Sequence, residues 1–285
     1  MLSLDVLRRE SVNALVSAGV DSPEVDAELL IGHVLGRSRG QVQVGVVTGS
    51  VVSDADAERI RSLVARRAAR EPLQHITGRA PFRNLELAVG PGVFVPRPET
   101  EQVVQLAIDA MWAVPSEHPI AVDLGSGSGA IALAMATEVP HSVVYAAENS
   151  PEAFPWTLRN FEESGATNAH LVFVDLAEAF DELNGRVDVV ISNPPYIPRA
   201  AVPRDPEVRL FDPEHALYGG EDGLDAVRQV SQTALRLLHP GGTLVIEHGE
   251  LQAAEIAALL RTDGWNAISG HRDLLGRDRA TTAIR

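Results

Sequence analysis

VDLGSGSGAIALA, residues 122–134, is the stretch that decides the fold. An apolar run ends at Asp123 and Leu124, meets glycines at 125, 127 and 129, and passes straight into an alanine-rich helical segment. Glycine permits a tight turn and lets a ligand come close to the backbone. The helix that follows offers its unpaired N–H groups to an anion, here plausibly a carboxylate. Strand, glycine loop and helix in that order predict the opening unit of an α/β sheet with a ligand at its carboxyl edge. The bland alternative is a strand–helix turn with no ligand.

Working outward, strands and helices alternate on both sides of this loop. PIAVDL (119–124), SVVYAAE (142–148), LVFV (171–174), VDVVIS (187–192) and TLVIE (243–247) read as strands. Ala130–Thr137, Pro151–Glu163 with Ser150 as its cap, Asp222–Leu238 and Leu251–Arg261 read as helices. Near-continuous apolar strands separated by helices predict a mostly parallel sheet covered on both faces, over residues 96–285. Residues 1–78 read as a small helical domain suited to packing or substrate docking. Its helix starts are Ser22-Pro23-Glu24 and Ser53-Asp54-Ala55-Asp56, and Ile60, Leu63 and Val64 line one face of the segment 54–70. Residues 79–95 read as a β-hairpin linker, from the short runs Leu85–Val89 and Val93–Val95 among glycines and prolines.

Composition removes several chemistries. The 285-residue chain has no cysteine, which excludes disulfides, thiolate metal sites and a cysteine nucleophile, and makes the cytoplasm the expected location. All 24 basic residues are arginine, so there is neither a Schiff-base lysine nor a Gly-Lys-Ser/Thr phosphate loop. The nine histidines show no His-x-x-x-His pair, and no metal is expected. The formal net charge of −15 argues against non-specific nucleic-acid binding, though not against a local basic groove. No run reaches the roughly 18 apolar residues of a membrane span, and the N-terminus does not read as a signal peptide.

Two cofactor classes fit the glycine loop. Gly125-x-Gly127-x-x-Ala130 satisfies the relaxed dinucleotide pattern, and Glu148 suits ribose hydroxyls in either case. Asp123 tilts the choice, because a carboxylate is awkward beside a pyrophosphate and suitable near a cation. S-adenosyl-L-methionine carries an ammonium and a sulfonium, so an acidic lip suits it.

The run VDVVISNPPYIPR (187–199) ends a buried strand in an amide and a rigid turn. Asn193 falls at the same sheet edge as the glycine loop. Pro194 and Pro195 fix φ and bring no N–H, leaving acceptors at the Asn193 side chain and the Pro194 carbonyl beside the ring of Tyr196. Two acceptors next to an aromatic face suit a planar NH2 group. Accepting both hydrogens holds the nitrogen and favours its rehybridisation toward an electrophilic methyl, while the ring can sense developing positive charge. Asn193, Pro194 and Tyr196 are therefore the expected catalytic groups, with Pro195 completing the substrate-binding turn.

Together, DLGSGSGAIALA and NPPYIP resemble class I S-adenosylmethionine-dependent methyltransferases, whose Rossmann-like sheet carries helices on both faces. NPPY is shared with DNA adenine methyltransferases and does not by itself choose a substrate. GVFVPRPETE (92–101), DPEHALYGGEDGLDAVR (212–228) and GRDRATTAIR (276–285) resemble signature segments of the peptide-chain release factor glutamine methyltransferases, the HemK/PrmC family. The helical N-terminus and hairpin match as well, so the resemblance spans nearly the whole chain. It implies methylation of the side-chain amide of the glutamine in the Gly-Gly-Gln motif of class 1 release factors, with S-adenosyl-L-homocysteine as by-product and no direct contact with nucleic acid. It also implies that Gly125, Ser126, Gly127, Ser128 and Gly129 hold the methionine part, Glu148 the ribose, and Asp175 and Leu176 the adenine. Arg97, Glu99 and Glu101 would lie in a segment closing over the cofactor.

Three features depart from the family pattern. Glu148 replaces the usual aspartate and is one methylene longer, Leu176 stands where a bulkier residue would stack on adenine, and His248 in IEHGE (246–250) occupies a place expected to be small and apolar. The competing readings are an adenine-N6 nucleic-acid methyltransferase, which wants a basic surface, a nicotinamide-dependent oxidoreductase, which leaves NPPY unexplained, and a cofactor-binding scaffold, which makes that turn dispensable.

Overall fold

The computed structural model describes residues 1–285, which form two compact units. The smaller comprises Met1–Arg79 and Pro203–Phe211. Its elements are β1 (Leu2–Ser3), α1 (Leu4–Ser17), α2 (Pro23–Leu35), α3 (Arg39–Val47), β2 (Val51–Val52), α4 (Asp54–Ala68) and α5 (Leu73–Thr77), with β1 and β2 antiparallel. Pro23 sits in the first turn of α2, although the Ser22 hydroxyl makes no capping bond. Ser53 caps α4 by accepting the Asp56 N–H at 3.0 Å. Ile60 and Val64 turn into a core with Leu4, Leu7, Leu30 and Ile31, while Leu63 packs at its margin.

This core carries a buried ion network. Arg67 donates from Nε to Asp26 at 2.7 Å and from Nη1 to Glu207 at 2.7 Å, and Arg70 donates to the other Glu207 oxygen at 2.6 Å. Burial opposes the charge on Glu207, yet hydrogen bonds, those from Arg70 and Arg67 among them, hold its carboxyl down at about 2. Charged groups this far from water persist only when paired in this way.

The larger unit, Ala80–Val202 with Asp212–Arg285, opens on the hairpin β3 (Arg79–Phe82) and β4 (Leu85–Ala88). The expected hairpin is therefore shifted. Leu85–Ala88 pairs with the preceding strand, and Val93–Val95 is not a strand. Gly90 lies against the Trp156 ring, where an added Cβ would come within 2.4 Å, and Val93 and Val95 fill a small cluster with Val89 and Ala153. That packing takes the segment out of any ladder.

After α6 (Pro98–Ala113) the alternation runs β5 (Ile120–Leu124), α7 (Ala130–Glu138), β6 (Val143–Glu148), α8 (Phe154–Ser164), β7 (Ala169–Phe173) and β8 (Val187–Ser192). The chain then makes its excursion into the smaller unit, carrying α9 (Pro206–Phe211). It returns through α10 (Glu214–Leu217), α11 (Asp225–Leu237), β9 (Leu238–Glu247), α12 (Ala253–Thr262), β10 (Asn266–Arg272) and β11 (Asp278–Ile284). The seven-stranded sheet has the order β10-β11-β9-β8-β5-β6-β7. β7, β6, β5, β8 and β9 run parallel, and β11 is antiparallel to β9 and β10.

All six residues of β8 are buried, and their alternation divides them between two cores. Val189 and Ile191 pack with Val103, Met111 and Leu133 of α6 and α7. Val190 packs with Val122, Val227, Leu237 and Ile256 on the opposite face. The expected parallel sheet with helices on both faces is borne out, and the antiparallel C-terminal hairpin is an addition to it. Chain direction across the sheet reverses between β5 and β8, which is where an open α/β sheet forms its ligand crevice.

Candidate active site

Three strand ends meet at this crevice. Register pairs Asp123 of β5 with Ile191 of β8 and with Ala146 of β6, so the loops after these strands share one edge. The Ser192 hydroxyl donates to the Leu124 carbonyl at 2.6 Å and ties the β8 exit to the β5 exit.

The glycine loop is built by backbone bonds. Gly125 and Ser126 both donate to the Ala147 carbonyl at 3.0 Å, and Gly129 donates to Ser126 at 2.8 Å. Gly125 and Gly127 have φ of 78° and 56°, and a Cβ added at either would meet nothing within 4 Å. Their bare faces look into open space. The Ser128 carbonyl accepts from Asn160 at 2.8 Å and the Gly127 carbonyl from Thr157 at 2.5 Å, so the loop is fastened to α8 from behind.

Asp123 is not at an exposed lip. It is fully buried, and one oxygen accepts from the Ser126 hydroxyl at 2.7 Å and the Ala132 N–H at 3.2 Å. The other oxygen is buried without a partner. Burial pushes the carboxyl up to about 7, against the pull of the Ser126 and Ala132 bonds. The residue is a strut inside the loop with one acceptor uncommitted.

Glu148, at the end of β6, uses its extra methylene to reach back to the loop. One oxygen accepts the Gly127 N–H at 2.6 Å, and the other accepts Asn149 and Ser150 N–H at 3.0 and 2.8 Å. A carboxylate offers about four lone-pair sites, so roughly one remains for a ligand hydroxyl. Asp175 accepts from Ala177 N–H at 2.9 Å and the Asn149 amide at 2.8 Å. Leu176 opens a short 3₁₀ turn and packs at the margin of the core beneath β5.

The turn after β8 is arranged differently. Asn193 is half-buried, and its carboxamide makes no hydrogen bond within the protein; nor does the Pro194 carbonyl. The ring of Tyr196 is largely enclosed, and burial pushes its hydroxyl up to about 12. Downstream, Ile197 donates to Leu217 at 2.8 Å and accepts from Gly219 at 3.0 Å, which pairs the turn with the segment 217–220. Asn193, Pro194, Pro195 and Tyr196 thus stand together at the edge shared with the glycine loop.

Matches to known proteins agree with this geometry. Residues 7–78 match the model of the PrmC N-terminal domain, and residues 84–212 match that of the methyltransferase small domain. The release factor glutamine methyltransferase of Streptomyces coelicolor is 50% identical over 277 residues, covering 96% of this chain and 95% of that protein. The chain belongs to the release factor glutamine methyltransferase family. The Bifidobacterium longum protein of that name is 44% identical over 294 residues and the Deinococcus radiodurans one 41% over 286, each with near-complete coverage of both chains.

In this family member PRPETE forms no separate flap, since Pro98 opens α6. Its charges go to protein partners. Arg97 lies over the Phe94 ring at 4.8 Å and pairs with Asp212 at 2.6 Å, Glu99 pairs with Arg277 at 3.0 Å, and Glu101 accepts the Arg83 N–H at 2.9 Å. Residue-level reading missed Glu247. This buried carboxyl at the end of β9 has one oxygen without a partner, and burial pushes it up to about 7. An acid closing the apolar run TLVI was the available signal, as it was for Asp123 and Glu148. His248 is fully buried, its ring 2.9 Å from the Gly249 carbonyl on one side and 2.9 Å from the Thr281 hydroxyl on the other. It joins β9 to β11, and burial pushes it down, toward the neutral form.

Proposed function

We propose that this protein transfers a methyl group from S-adenosylmethionine to the side-chain amide nitrogen of the glutamine in the Gly-Gly-Gln motif of class 1 release factors, in the cytoplasm. The observation that carries the reading is the pair of unengaged acceptors, the Asn193 carboxamide oxygen and the Pro194 carbonyl, at the edge shared with the glycine loop. They match the two hydrogens of a primary amide.

The cofactor fits the residues present. Gly125 and Gly127 turn Cβ-less faces to open space, and Asp123 keeps one buried acceptor free for a cationic group. Glu148 retains about one lone-pair site for a ribose hydroxyl. When bound, the cofactor supplies an electrophilic methyl on a sulfonium.

The protein's part is positioning. An amide nitrogen is a poor nucleophile because its lone pair is delocalised. Asn193 and Pro194 accept both N–H bonds and hold the nitrogen with its lone pair directed at the methyl. Such orientation supplies up to about 7–11 kcal/mol of a barrier. Tyr196 faces the positive charge that develops on the nitrogen. The nitrogen gives up a proton after alkylation, so no base is required beforehand.

The test is methyl transfer to unmethylated release factors, read by peptide-resolved mass spectrometry, with a Gly-Gly-Ala variant as control. One added methyl on the Gly-Gly-Gln peptide and none on the control is the expected result. Methylation of adenine in nucleic acid, with release factors untouched, would replace this reading.

A further inference from the structure

The turn 193–198 contains three prolines, Pro194, Pro195 and Pro198, and so has few N–H groups with which to fasten itself. Its backbone is gripped from outside. Gly219 and Gly223 wall it on one side: a Cβ at 219 would come within 2.4 Å of the Pro195 carbonyl, and one at 223 within 2.3 Å of the Tyr196 carbonyl. On the other side stands Gln252, buried at the start of α12. Its Oε1 accepts the Gly249 N–H at 3.0 Å, and its Nε2 donates to the Tyr196 carbonyl at 2.9 Å.

The orientation of this amide is unambiguous. Gly249 presents a donor and Tyr196 an acceptor, so a flipped carboxamide would set N–H against N–H and oxygen against oxygen. Gly249 follows the end of β9 by two residues, and the turn follows β8. Gln252 therefore bridges the exits of two adjacent parallel strands, paired in register at Ser192 and Ile246.

We propose that Gln252 is a positioning residue for amide methylation, holding the Tyr196 carbonyl so that Asn193 and Pro194 keep the spacing the substrate nitrogen requires. The proposal rests on the reading of this turn as the holder of the substrate amide. Gln252 does not touch the substrate; it fixes the backbone that does. Displacement of a positioned group by about 1 Å costs on the order of a hundredfold in rate, and loss of one clamp among several costs less.

The test compares Gln252→Leu, which keeps bulk and removes both bonds, with Gln252→Glu, which keeps the acceptor for Gly249 and removes the donor to Tyr196. kcat is measured on release factor and normalised to the number of S-adenosylmethionine sites counted by calorimetry. Normalisation separates a misplaced turn from a partly unfolded sample. Both variants should lose about tenfold to a hundredfold in kcat per site, with cofactor Kd and release factor KM within threefold of the parent. A Gln252→Glu protein with kcat per site within threefold of the parent overturns the proposal. So does a fall in kcat that merely follows the loss of cofactor sites. Asn193→Ala run in parallel separates the two levels. If it is inactive while Gln252→Glu is normal, only the role of Gln252 falls; if it is active, the reading of the whole turn falls.

Discussion

The glycine loop after β5 and the proline turn after β8 lie at one sheet edge and are rigid for opposite reasons. The loop is made of the residues with the greatest backbone freedom, and it is held by what they bond to: Ala147, Asp123, Glu148, Thr157 and Asn160. Its hydrogen-bonding capacity is largely spent internally. The turn is made of the residues with the least freedom. Its stiffness is covalent, so its acceptors at Asn193 and Pro194 stay available. A cofactor bound in every cycle needs a shaped cradle, whereas an amide to be activated needs unspent acceptors, and the two constructions supply these separately.

Breaking the turn should have the largest effect. Asn193→Ala should lower kcat by about a thousandfold, as removal of a preorganised polar partner does elsewhere, and leave cofactor Kd within tenfold by calorimetry. An active variant would erase the distinction between the two regions. Breaking the cradle should act on the other parameter. Gly127→Val sets a β-branched side chain at φ 56° and fills the open face; positive φ alone costs a non-glycine residue roughly 1–2 kcal/mol. Cofactor Kd should rise by about a hundredfold, on the order of 2–3 kcal/mol, and unchanged binding would show that the open face is not where the ligand sits.

The smallest effect sharpens the contrast. Asp123 has its carboxyl pushed up to about 7 by burial, and a cation beside it favours the ionised form. Cofactor affinity should therefore fall as pH drops below 7, by up to about tenfold between pH 8 and pH 6, with a proton released on binding. Calorimetry in buffers of different ionisation enthalpy detects that proton, and Asp123→Asn should abolish the dependence. The ligand-free protein should show the complementary trend. Asp123 and Glu247 both have folded values near 7 and ordinary values of 3.8 and 4.5. Their contribution to stability is fully present below the ordinary values and is lost as pH rises toward 7. Thermal scans of the parent against Asp123→Asn and Glu247→Gln measure the slope.

Much of this edge was legible because buried parallel strands leave long apolar runs, and a polar residue at the end of such a run has few reasons to be there. Asp123, Glu148 and Asn193 were found that way, and Glu247 carries the same mark. What each side chain does was less legible. Asp123 was expected at an exposed lip and is a buried strut, because Ser126 and the start of α7 close over it. The antiparallel hairpin of β10 and β11 left no apolar run to read. β10 is an edge strand, and NAISGHR is mostly exposed or half-exposed. The start of α8 was misplaced by three residues because Ser150 caps a turn, accepting from Ala153 at 3.1 Å, before the helix begins at Phe154. Gln252 could not be found from sequence, since its meaning lies in Tyr196, 56 residues away.

The excursion of residues 203–211 bears on modularity. The helical unit is two pieces of chain, and the second is an insertion between β8 and α10 of the larger unit. Glu207 belongs to that insertion, and its buried charge is neutralised by Arg67 and Arg70 from the first piece. A cut at residue 79 therefore does not separate two cassettes. Swapping the helical unit between relatives requires the 203–211 insertion to travel with it, or a buried carboxylate is left with no cation to answer it.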